Sequence, residues 1–432
     1  MRRRNLTIRL FAIVCLTLAP ATTLLAQQVP PIVQSASSRI GSTGQNPYLI
    51  GEYYQQDPVQ DKNQDINQVP QAPQGNQDGV NGPGLEVQSN ARNLIGGRRN
   101  WCNIPARPDR LFGCTQNGFC VGGWVQTGYH ERTNGLFNSH PGRWNVHQSW
   151  FHVEKLADPS RGMNWGFRAD AVYGVDAQNV QAFGNSPPAA PDNWDNSYDN
   201  GIYGWAIPQA FVEYSNGYAS AKAGYFFSPM SKDRLTSVDN FFYSRTFVQT
   251  LTRPYTMTGG LVETNMGGTT LIGGVTTGWN SAFENIGNAL TFVGGYRMQM
   301  ANGIQVSSMF SFGDTGINGT GYANSSVIDV PLTDALSYSL QIDFYELDAF
   351  DDIAVTNEFI LRPSRCLGLG TRLEYYRTDR FGGDMSTWGW TSGVNIRPHQ
   401  NIIVRPEVRL DWGPAAATSG QANWAMDAIF MF

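Results

Sequence analysis

The end of the chain alternates between apolar and charged residues with a period of two. Between residues 404 and 412 every second residue is apolar, and the residues between them are Arg405, Glu407, Arg409 and Asp411. Because successive side chains of a β-strand point to opposite faces, this segment is predicted to be a strand with one apolar face and one ionic face. Soluble sheets alternate in the same way, so the pattern alone does not distinguish a soluble sheet from a membrane sheet.

The same period recurs from residue 119 onward in runs of about ten residues, the length with which a tilted strand crosses a bilayer. The alternation is weakest at 323–331 and irregular at 144–156. Pro406 predicts a local bulge, because proline donates no hydrogen bond to the ladder. The predicted strands lie near residues 119–130, 144–156, 164–174, 205–215, 218–227, 256–266, 269–279, 289–300, 304–313, 323–331, 337–346, 352–363, 368–377, 387–398, 401–412 and 423–432.

The connections between these strands alternate in length. Asn216-Gly217 and 300–303 are tight turns, whereas 174–200 and 228–255 are long and polar. Short turns on one side and long loops on the other are typical of outer-membrane barrels and are not expected of a sandwich or a propeller. We therefore predict an all-β fold: a transmembrane antiparallel up-and-down β-barrel of about 16 strands, preceded by a disordered N-terminal leader.

The last predicted strand places large apolar side chains on one face and has an aromatic residue at its end. This face includes Trp424, Met426, Phe430 and Phe432. The ending resembles the C-terminal assembly signal of bacterial outer-membrane barrels. The resemblance implies that Phe430 and Phe432 are recognised by the barrel-assembly machinery, and that outer-membrane lipid surrounds the barrel.

The N-terminal part of the chain has two predicted segments before the barrel. Residues 1–26 combine early arginines, a short apolar run and small residues, which predicts a secretory signal peptide. Residues 27–118 are rich in Gln, Asn, Pro, Gly and Ser, and they cannot bury enough apolar surface to offset the entropy of ordering. They are predicted to be a low-complexity periplasmic leader, with a cell-wall tether as the functional alternative. The predicted barrel covers residues 119–432.

The charge and composition of the chain exclude some classes of partner and one kind of membrane segment. The chain has 30 basic and 35 acidic residues, and loss of the four arginines in the signal segment changes the formal charge from −5 to −9. This acidity argues against a nucleic-acid partner, which requires a basic face. No segment after the signal approaches the ~20 apolar residues of a membrane helix.

Four cysteines remain once the signal segment, which contains Cys15, is removed. In an oxidising compartment four cysteines predict two disulfides, with three connectivities open. Free thiols and a metal site are the alternatives, although the spacing does not match a zinc pattern. A bridge from the segment before the barrel to the turn at Cys366 would hold that segment beneath the barrel. The four candidates are Cys102, Cys114, Cys120 and Cys366.

The ionic strand faces are predicted to line water inside the barrel. A closed barrel of about 16 strands encloses an aqueous channel rather than a packed core. A charged side chain at mid-depth in lipid would cost several kcal/mol, so the charged faces must point inward. The predicted lumen wall comprises Arg168, Asp170, Glu213, Lys222, Arg297, Arg372, Glu374, Arg405, Glu407 and Arg409.

The long connection 228–255 carries charges of both signs among aromatic residues. A loop of this length can fold into the mouth of the barrel, where its charges would set a transverse field and a size limit. The alternative is a solvated surface loop. The predicted constriction residues are Lys232, Asp233, Arg234, Asp239, Arg245 and Arg253.

Four stretches resemble the putative β-barrel porin-2 family, the OmpL-like outer-membrane barrels common in planctomycetes. They are AKAGYFFSPM at 221–230, DNFFYSR at 239–245, PYTMTGG at 254–260 and Gly278-Trp279-Asn280. The likeness covers about 122–432, and DNFFYSR is its most specific part. The chain departs from the family at Met257, where members usually carry histidine. The resemblance implies an outer-membrane pore for small solutes.

The sequence thus predicts a general diffusion or weakly selective porin without a cofactor, a metal site or catalysis. A homotrimer is expected by analogy with other barrels of this size. The alternatives are a non-conducting structural or adhesive barrel, which anchors the envelope, and a soluble secreted β-protein. Four histidines crowd one hairpin and invite a catalytic or metal hypothesis, but His147 and His152 are an odd number apart and are predicted to face opposite sides of their strand. The four are His130, His140, His147 and His152.

Overall fold

Sixteen strands form one antiparallel sheet that closes on itself. Each strand pairs with its neighbours in sequence, and the first strand pairs with the last. This fold class and the strand boundaries, to within a few residues, confirm the predictions. The signal segment and most of the leader lie outside the described residues, so their assignments stay predictions. The computed structural model describes residues 114–432 except 116–117, 134–136, 159–161, 182–197, 231, 283–285, 381–382, 415 and 417–418.

The strands are joined alternately by short turns and longer loops, and two short α-helices lie in the described parts of the loops. Among the described residues, no helix is long and apolar enough to cross a membrane. Helix α1 is Ala177–Val180, and helix α2 is Phe247–Leu251. The strands are β1 Cys120–His130, β2 Trp144–Lys155, β3 Met163–Gly174, β4 Gly204–Asn216, β5 Ala219–Phe227, β6 Thr256–Met266, β7 Thr269–Trp279, β8 Thr291–Gln299, β9 Gln305–Asp314, β10 Thr320–Pro331, β11 Leu336–Leu347, β12 Phe350–Ser364, β13 Leu367–Thr378, β14 Met385–His399, β15 Ile402–Trp412 and β16 Gln421–Met431.

The period-two pattern separates the two faces of the wall. On β15 the charged side chains point into the barrel and are buried, whereas the apolar side chains between them face outward. On β16 Trp424 and Phe430 are 64% and 53% exposed on the outer face. The segment with the weakest pattern forms β10, which pairs regularly with both of its neighbours. The apolar face therefore lies where lipid would surround the barrel.

Closure of the barrel includes the last residue of the chain. Residues of β1 pair with β16 in continuous register from Trp124↔Met431 to His130↔Ala425. Beyond this ladder, Gly123 N donates to Phe432 O and Phe432 N donates to Gly123 O, both at 2.9 Å. A closed ladder leaves no free strand edge in the hydrocarbon region, where unpaired backbone groups cost several kcal/mol each.

The bulge predicted at Pro406 is wrong. The pairs Gly393↔Glu407 and Ile396↔Val404 keep one register across Pro406, and β16 also pairs through it without a shift. The ladder with β14 only lacks pairs beside Pro406, because a missing donor opens the ladder without requiring an extra residue. The register between these strands shifts instead between Ile396 and His399.

A bulge occurs in β2, and it corrects the prediction for the histidines. Gln126 pairs with Gln148, but the next residue of β1 pairs with Val146, so His147 is an extra residue. A bulge restarts the alternation. His147 and Gln148 consequently both point inward, and His152 does as well, so the prediction that His147 and His152 face opposite sides is wrong.

Three cysteines are disulfide-bonded in the described part of the chain. Cys114 and Cys120 form a bridge directly before and at the start of β1. Cys366, in the turn between β12 and β13, is also disulfide-bonded. Cys102 lies outside the described residues, so a bridge that includes it stays a prediction.

Candidate functional site

The connection between β5 and β6 folds into the interior of the barrel. We call residues 228–255 the lumen loop. Its backbone or side chains bond to Gln148 on β2, Glu358 on β12 and Glu407 on β15. β12 and β15 lie across the barrel from β5 and β6, between which the loop begins and ends, so the loop must cross the lumen to reach them. The loop therefore narrows the interior instead of lying over the outer surface.

Two wall carboxylates accept hydrogen bonds from the loop backbone. Tyr243 N and Ser244 N donate to the two oxygens of Glu407 at 2.9 and 3.0 Å. Phe247 N donates to Glu374 Oε1 at 2.8 Å, at the start of α2. Because the first N–H groups of a helix have no intrahelical partner, a carboxylate there both satisfies a donor and complements the helix dipole. The DNFFYSR stretch is thus held by its backbone.

Wall arginines complete the clamp by donating to loop carbonyl groups. Arg372 Nη1 and Nη2 donate to Ser244 O at 3.2 Å, and Arg409 Nη1 donates to Arg245 O at 3.0 Å. Arg409 Nη1 also lies 2.8 Å from Glu374 Oε2. Wall carboxylates therefore bind N–H groups of the loop and wall arginines bind its C=O groups, and both of these arginines are also paired with Glu374.

The third wall arginine holds an earlier turn of the loop. Arg405 Nη1 donates to Ser237 O at 2.9 Å and to Asn240 O at 2.7 Å. The Nε and Nη2 edge of its guanidinium donates two hydrogen bonds to Asp427 on β16, at 2.9 and 2.5 Å. This two-point pairing fixes the plane of the guanidinium, so that its remaining donor points at the loop.

Lumen-facing glycines provide space for the aromatic side chains of the loop. A Cβ atom at Gly370 would lie 2.3 Å from Phe241 Cε1 and 2.9 Å from Phe242 Cζ, and one at Gly368 would lie 2.7 Å from Phe241 Cε2. These glycines are therefore sockets for the phenylalanine rings, since any larger residue would displace them. Gly389 has the same relation to Phe247 at 3.0 Å.

Tyr243 joins the loop to two wall histidines. Its hydroxyl lies 2.6 Å from His147 Nε2 and 3.3 Å from His130 Nδ1, and Asp176 Oδ1 lies 3.0 Å from His147 Nδ1. If His147 donates Nδ1–H to Asp176, its Nε2 accepts from the tyrosine, whose oxygen then accepts from His130. Burial raises the pKa of Tyr243 well above its usual range, so the hydroxyl stays protonated and can donate.

Further anchors connect the start and the end of the loop to other strands. Lys232 Nζ lies 2.6 Å from Glu358 Oε2 and 3.5 Å from Asp329 Oδ1. Burial lowers the pKa of Lys232, but these carboxylates outweigh burial and raise it. Near the end of the loop, Thr252 Oγ1 donates to Asp352 Oδ2 at 2.7 Å.

The predicted constriction residues all belong to the lumen loop, but its arginines point into the loop itself. Arg245 and Arg253 are 4% and 5% exposed. Arg245 donates to Leu235 O at 2.9 Å, and Arg253 donates to Met230 O at 2.7 Å. Burial lowers the pKa of Arg253 to about 10. Arg234 is equally buried. Arg245 and Arg253 hold the loop in shape, because they bond to its own carbonyl groups.

The acidic members of that set have similar roles. Asp233 accepts from Thr246 N at 3.0 Å. Burial alone would raise the pKa of Asp233, but Arg372 and this hydrogen bond lower it. Asp239 accepts from the hydroxyl of Thr236. Lys232, Asp233 and Asp239 keep partial exposure. The transverse field stays a prediction, with these three as the members of the set that solvent reaches.

The ten predicted wall residues all point inward, and they divide into three groups. Five bind the lumen loop, and three are held by wall partners: Arg168 bonds to Glu154 and Asp170 at 2.8 and 2.7 Å, and Arg297 lies 3.3 Å from Glu263. Glu213 accepts from a backbone N–H, and Lys222 has no ion pair among the described residues. The five that bind the loop are Arg372, Glu374, Arg405, Glu407 and Arg409.

Several residues of the site were missed from the sequence. His147, Gln148 and Glu358 bind the loop, but neither spacing nor charge distinguishes them from other inward residues. The pair Gly368 and Gly370 did offer a signal, because two glycines two residues apart share one face of a strand and leave a gap there. Among the described residues, no group of three or more His, Cys, Asp or Glu side chains is arranged to hold a metal ion.

Comparisons with known proteins identify a family. Residues 118–432 match the family model described as "Putative beta-barrel porin-2, OmpL-like". No curated protein matches the chain. Solved structures with a similar fold include the outer membrane channel DcaP of Acinetobacter baumannii, which is 10% identical with a TM-score of 0.49 over 74% of this chain and 99% of that one. The anion-selective porin from Comamonas acidovorans is 13% identical with a TM-score of 0.48 over 73% and 99%.

Proposed function

Because the chain belongs to the family of putative beta-barrel porin-2, OmpL-like proteins, we propose that it is an outer-membrane porin through which small hydrophilic solutes and ions diffuse passively. The observation that carries the proposal is the lumen loop, which charged wall residues hold across the interior of a closed barrel. A loop fixed in this position limits the size of the solutes that can pass, and it does so without a gate that opens and closes.

Diffusion through such a pore needs no chemistry, and we propose that the protein catalyses none. Solutes would move down their own gradients through water beside the lumen loop. Acidic and basic residues alternate on the wall and largely neutralise one another, so selectivity for one sign of charge is expected to be weak. A strong preference for one sign in reversal-potential measurements would contradict this expectation.

The direct test is electrical recording of the refolded full chain in planar bilayers. We expect discrete conductance steps, and liposome swelling rates that fall as the sugar tested becomes larger. Folding would be verified separately by the shift in electrophoretic mobility between unheated and heated samples. A folded barrel that gives neither steps nor swelling would refute the proposal and favour the alternative, a non-conducting structural or adhesive barrel.

Two proposals concern partners. We infer that the C-terminal strand, with Phe430 and Phe432, is what the barrel-assembly machinery recognises, and that the barrel assembles as a homotrimer. Substitution of both phenylalanines by alanine should lower the amount of assembled barrel in the outer membrane while the secreted precursor accumulates. Crosslinking that yields only monomer in mild detergent would contradict the trimer.

A further inference from the structure

The lumen contains two lysines with opposite surroundings. The ammonium of Lys232 is paired with Glu358 and Asp329, as described above. The ammonium of Lys222 lies 4.3 Å from the centroid of the Phe211 ring, and it has no carboxylate oxygen within ion-pair distance among the described residues. A ring face attracts a cation but carries no net charge. The positive charge of Lys222 is therefore not cancelled by a bonded anion.

Among the described residues, neither carboxylate near Lys222 lies within ion-pair distance of its ammonium. Glu213 is its direct partner in the ladder between β4 and β5, but Glu213 Oε1 accepts from Ala157 N. Glu263 lies on β6 and is paired with Arg297 at 3.3 Å. Lys222, Glu213 and Glu263 line one small cleft, together with Ser220, Ala221 and Leu261. The cleft thus brings a cation and two carboxylates to one level of the wall, where both carboxylates are buried and the cation is partly exposed.

Lys222 is also one of few lumen cations that solvent reaches. The wall arginines that bind the loop are buried, as are Arg245 and Arg253 within it. Arg168 is partly exposed but is bonded to Glu154 and Asp170. Lys222 lies on β5 near the tight turn at Asn216-Gly217, which is on the periplasmic side if the long loops face outward. Its charge therefore acts on the part of the lumen beneath the loop.

We propose that Lys222 is the residue that determines which sign of small ion passes more readily through this periplasmic part of the lumen. An unpaired charge beside a narrow aqueous path attracts counter-ions and repels co-ions over about a Debye length. The groups that Lys222 favours are small anions, including the carboxylate of an organic solute. The inference rests on the proposed porin function and assigns selectivity to a wall residue outside the lumen loop.

The test is the reversal potential across bilayers under a KCl gradient, for wild type and for Lys222→Met. Methionine keeps an unbranched apolar chain on the Phe211 ring but removes the charge. We expect the ratio of chloride to potassium permeability to fall about threefold, with a similar unitary conductance. Lys155→Met, at the periplasmic end of β2 on the outer face, is the matched control and should leave the ratio unchanged.

A cysteine variant restores the charge chemically. The three described cysteines are disulfide-bonded, so Lys222→Cys adds a thiol, and wild type treated with the same reagent controls for other reactions. A cationic methanethiosulfonate should return the permeability ratio toward wild type, whereas an anionic one should lower it further. If wild type conducts and the Lys222→Met variant has the same ratio of chloride to potassium permeability, the inference fails but the proposed function stands. Folded wild type without conductance would overturn the proposed function, and the inference with it.

Discussion

The lumen loop is held differently by the two sides of the barrel. We call β10–β16 together with β1 and β2 the anchoring arc, and β3–β9 the opposite arc. Among the described residues, the polar bonds that loop residues 230–252 make to the wall all go to the anchoring arc. The loop also contributes Met230 and Val248 to an apolar cluster that extends over both arcs, and it meets the opposite arc through members of this cluster such as Leu261 and Ile272.

The difference shows how a long loop can have one position inside a wide barrel. Hydrogen bonds are directional and require a matching group at each point, so the anchoring arc selects the position of the loop. Apolar packing adds stability in proportion to the area buried and tolerates small shifts. Substitutions in the anchoring arc should therefore change the conductance, whereas substitutions in the apolar contact should lower only the free energy of unfolding.

The largest effect is expected for Glu407→Ala. It leaves Tyr243 N and Ser244 N as buried donors without a partner, at a cost of about 4 kcal/mol to the docked loop. The loop should detach, so that single-channel conductance becomes larger and noisier and trypsin cleaves at Arg245.

Its control is Glu131→Ala, at an exposed surface glutamate, which should leave conductance and cleavage as in wild type. Unchanged conductance of Glu407→Ala would contradict the role of the anchoring arc in holding the loop.

Met230→Ala tests the opposite arc. The side chain is fully buried in the apolar cluster, so truncation should lower the free energy of unfolding by about 3 kcal/mol through lost burial and a residual cavity. Because the polar clamps remain, conductance should stay near that of wild type. Urea unfolding in detergent, followed by tryptophan fluorescence, measures the first quantity, and bilayer recording measures the second. A change in conductance as large as that of Glu407→Ala would remove the distinction between the two arcs.

Gly370→Val probes the sockets on the anchoring arc. The new side chain would occupy the position of the Phe241 ring, and relief of this overlap should cost about 2 kcal/mol. We expect an altered conductance, because the ring can leave the socket only if the loop moves. Gly273→Val is the matched control, because Gly273 lies on β7, faces outward and has open space around its Cβ position. Equal effects of the two valines would argue against a socket.

The smallest effect is expected for Tyr243→Phe, which removes only the hydroxyl between His147 and His130. The loss of one buried hydrogen-bonding group should cost about 1 kcal/mol, and the backbone bonds to Glu407 should keep the loop docked. Slower trypsin cleavage than in Glu407→Ala, with slightly more current noise than in wild type, would match this expectation. Tyr255→Phe is the control, because its hydroxyl makes only a long contact to Thr250 O at 3.4 Å.

The fold was predictable because its signal is local. Period-two alternation is present within each strand, and alternate short and long connections determine the order of neighbours, so even β10 was found from a weak pattern. The bulge in β2 was not predictable, because the extra residue at His147 is defined by pairing with β1. Pro406 misled for a related reason: a missing donor is visible in the sequence, but the response of the neighbouring strand is not.

The site was predictable only in its location. A long charged connection indicated a loop in the lumen, and alternation placed the wall charges on the inner face. The partners could not be found, because Arg245 and Arg253 bond to backbone carbonyl groups, which every residue carries and no sequence pattern marks. Residues predicted to face water therefore hold the loop together. Lys222, predicted only as one wall residue among ten, is the one cation of that set without an ion pair to a described residue.

The extra residue in β2 has a consequence for how such a wall can change by insertion or deletion. One added amino acid would ordinarily turn every following side chain to the wrong side of a strand. Here the ladder with β1 absorbs the addition at His147, and the pairs from Gln148 to Glu154 keep their alternation. The extra residue gives this strand two consecutive inward side chains, and each bonds to a different part of the loop. Gene-level length variation at such points could retune a pore without rebuilding its cylinder.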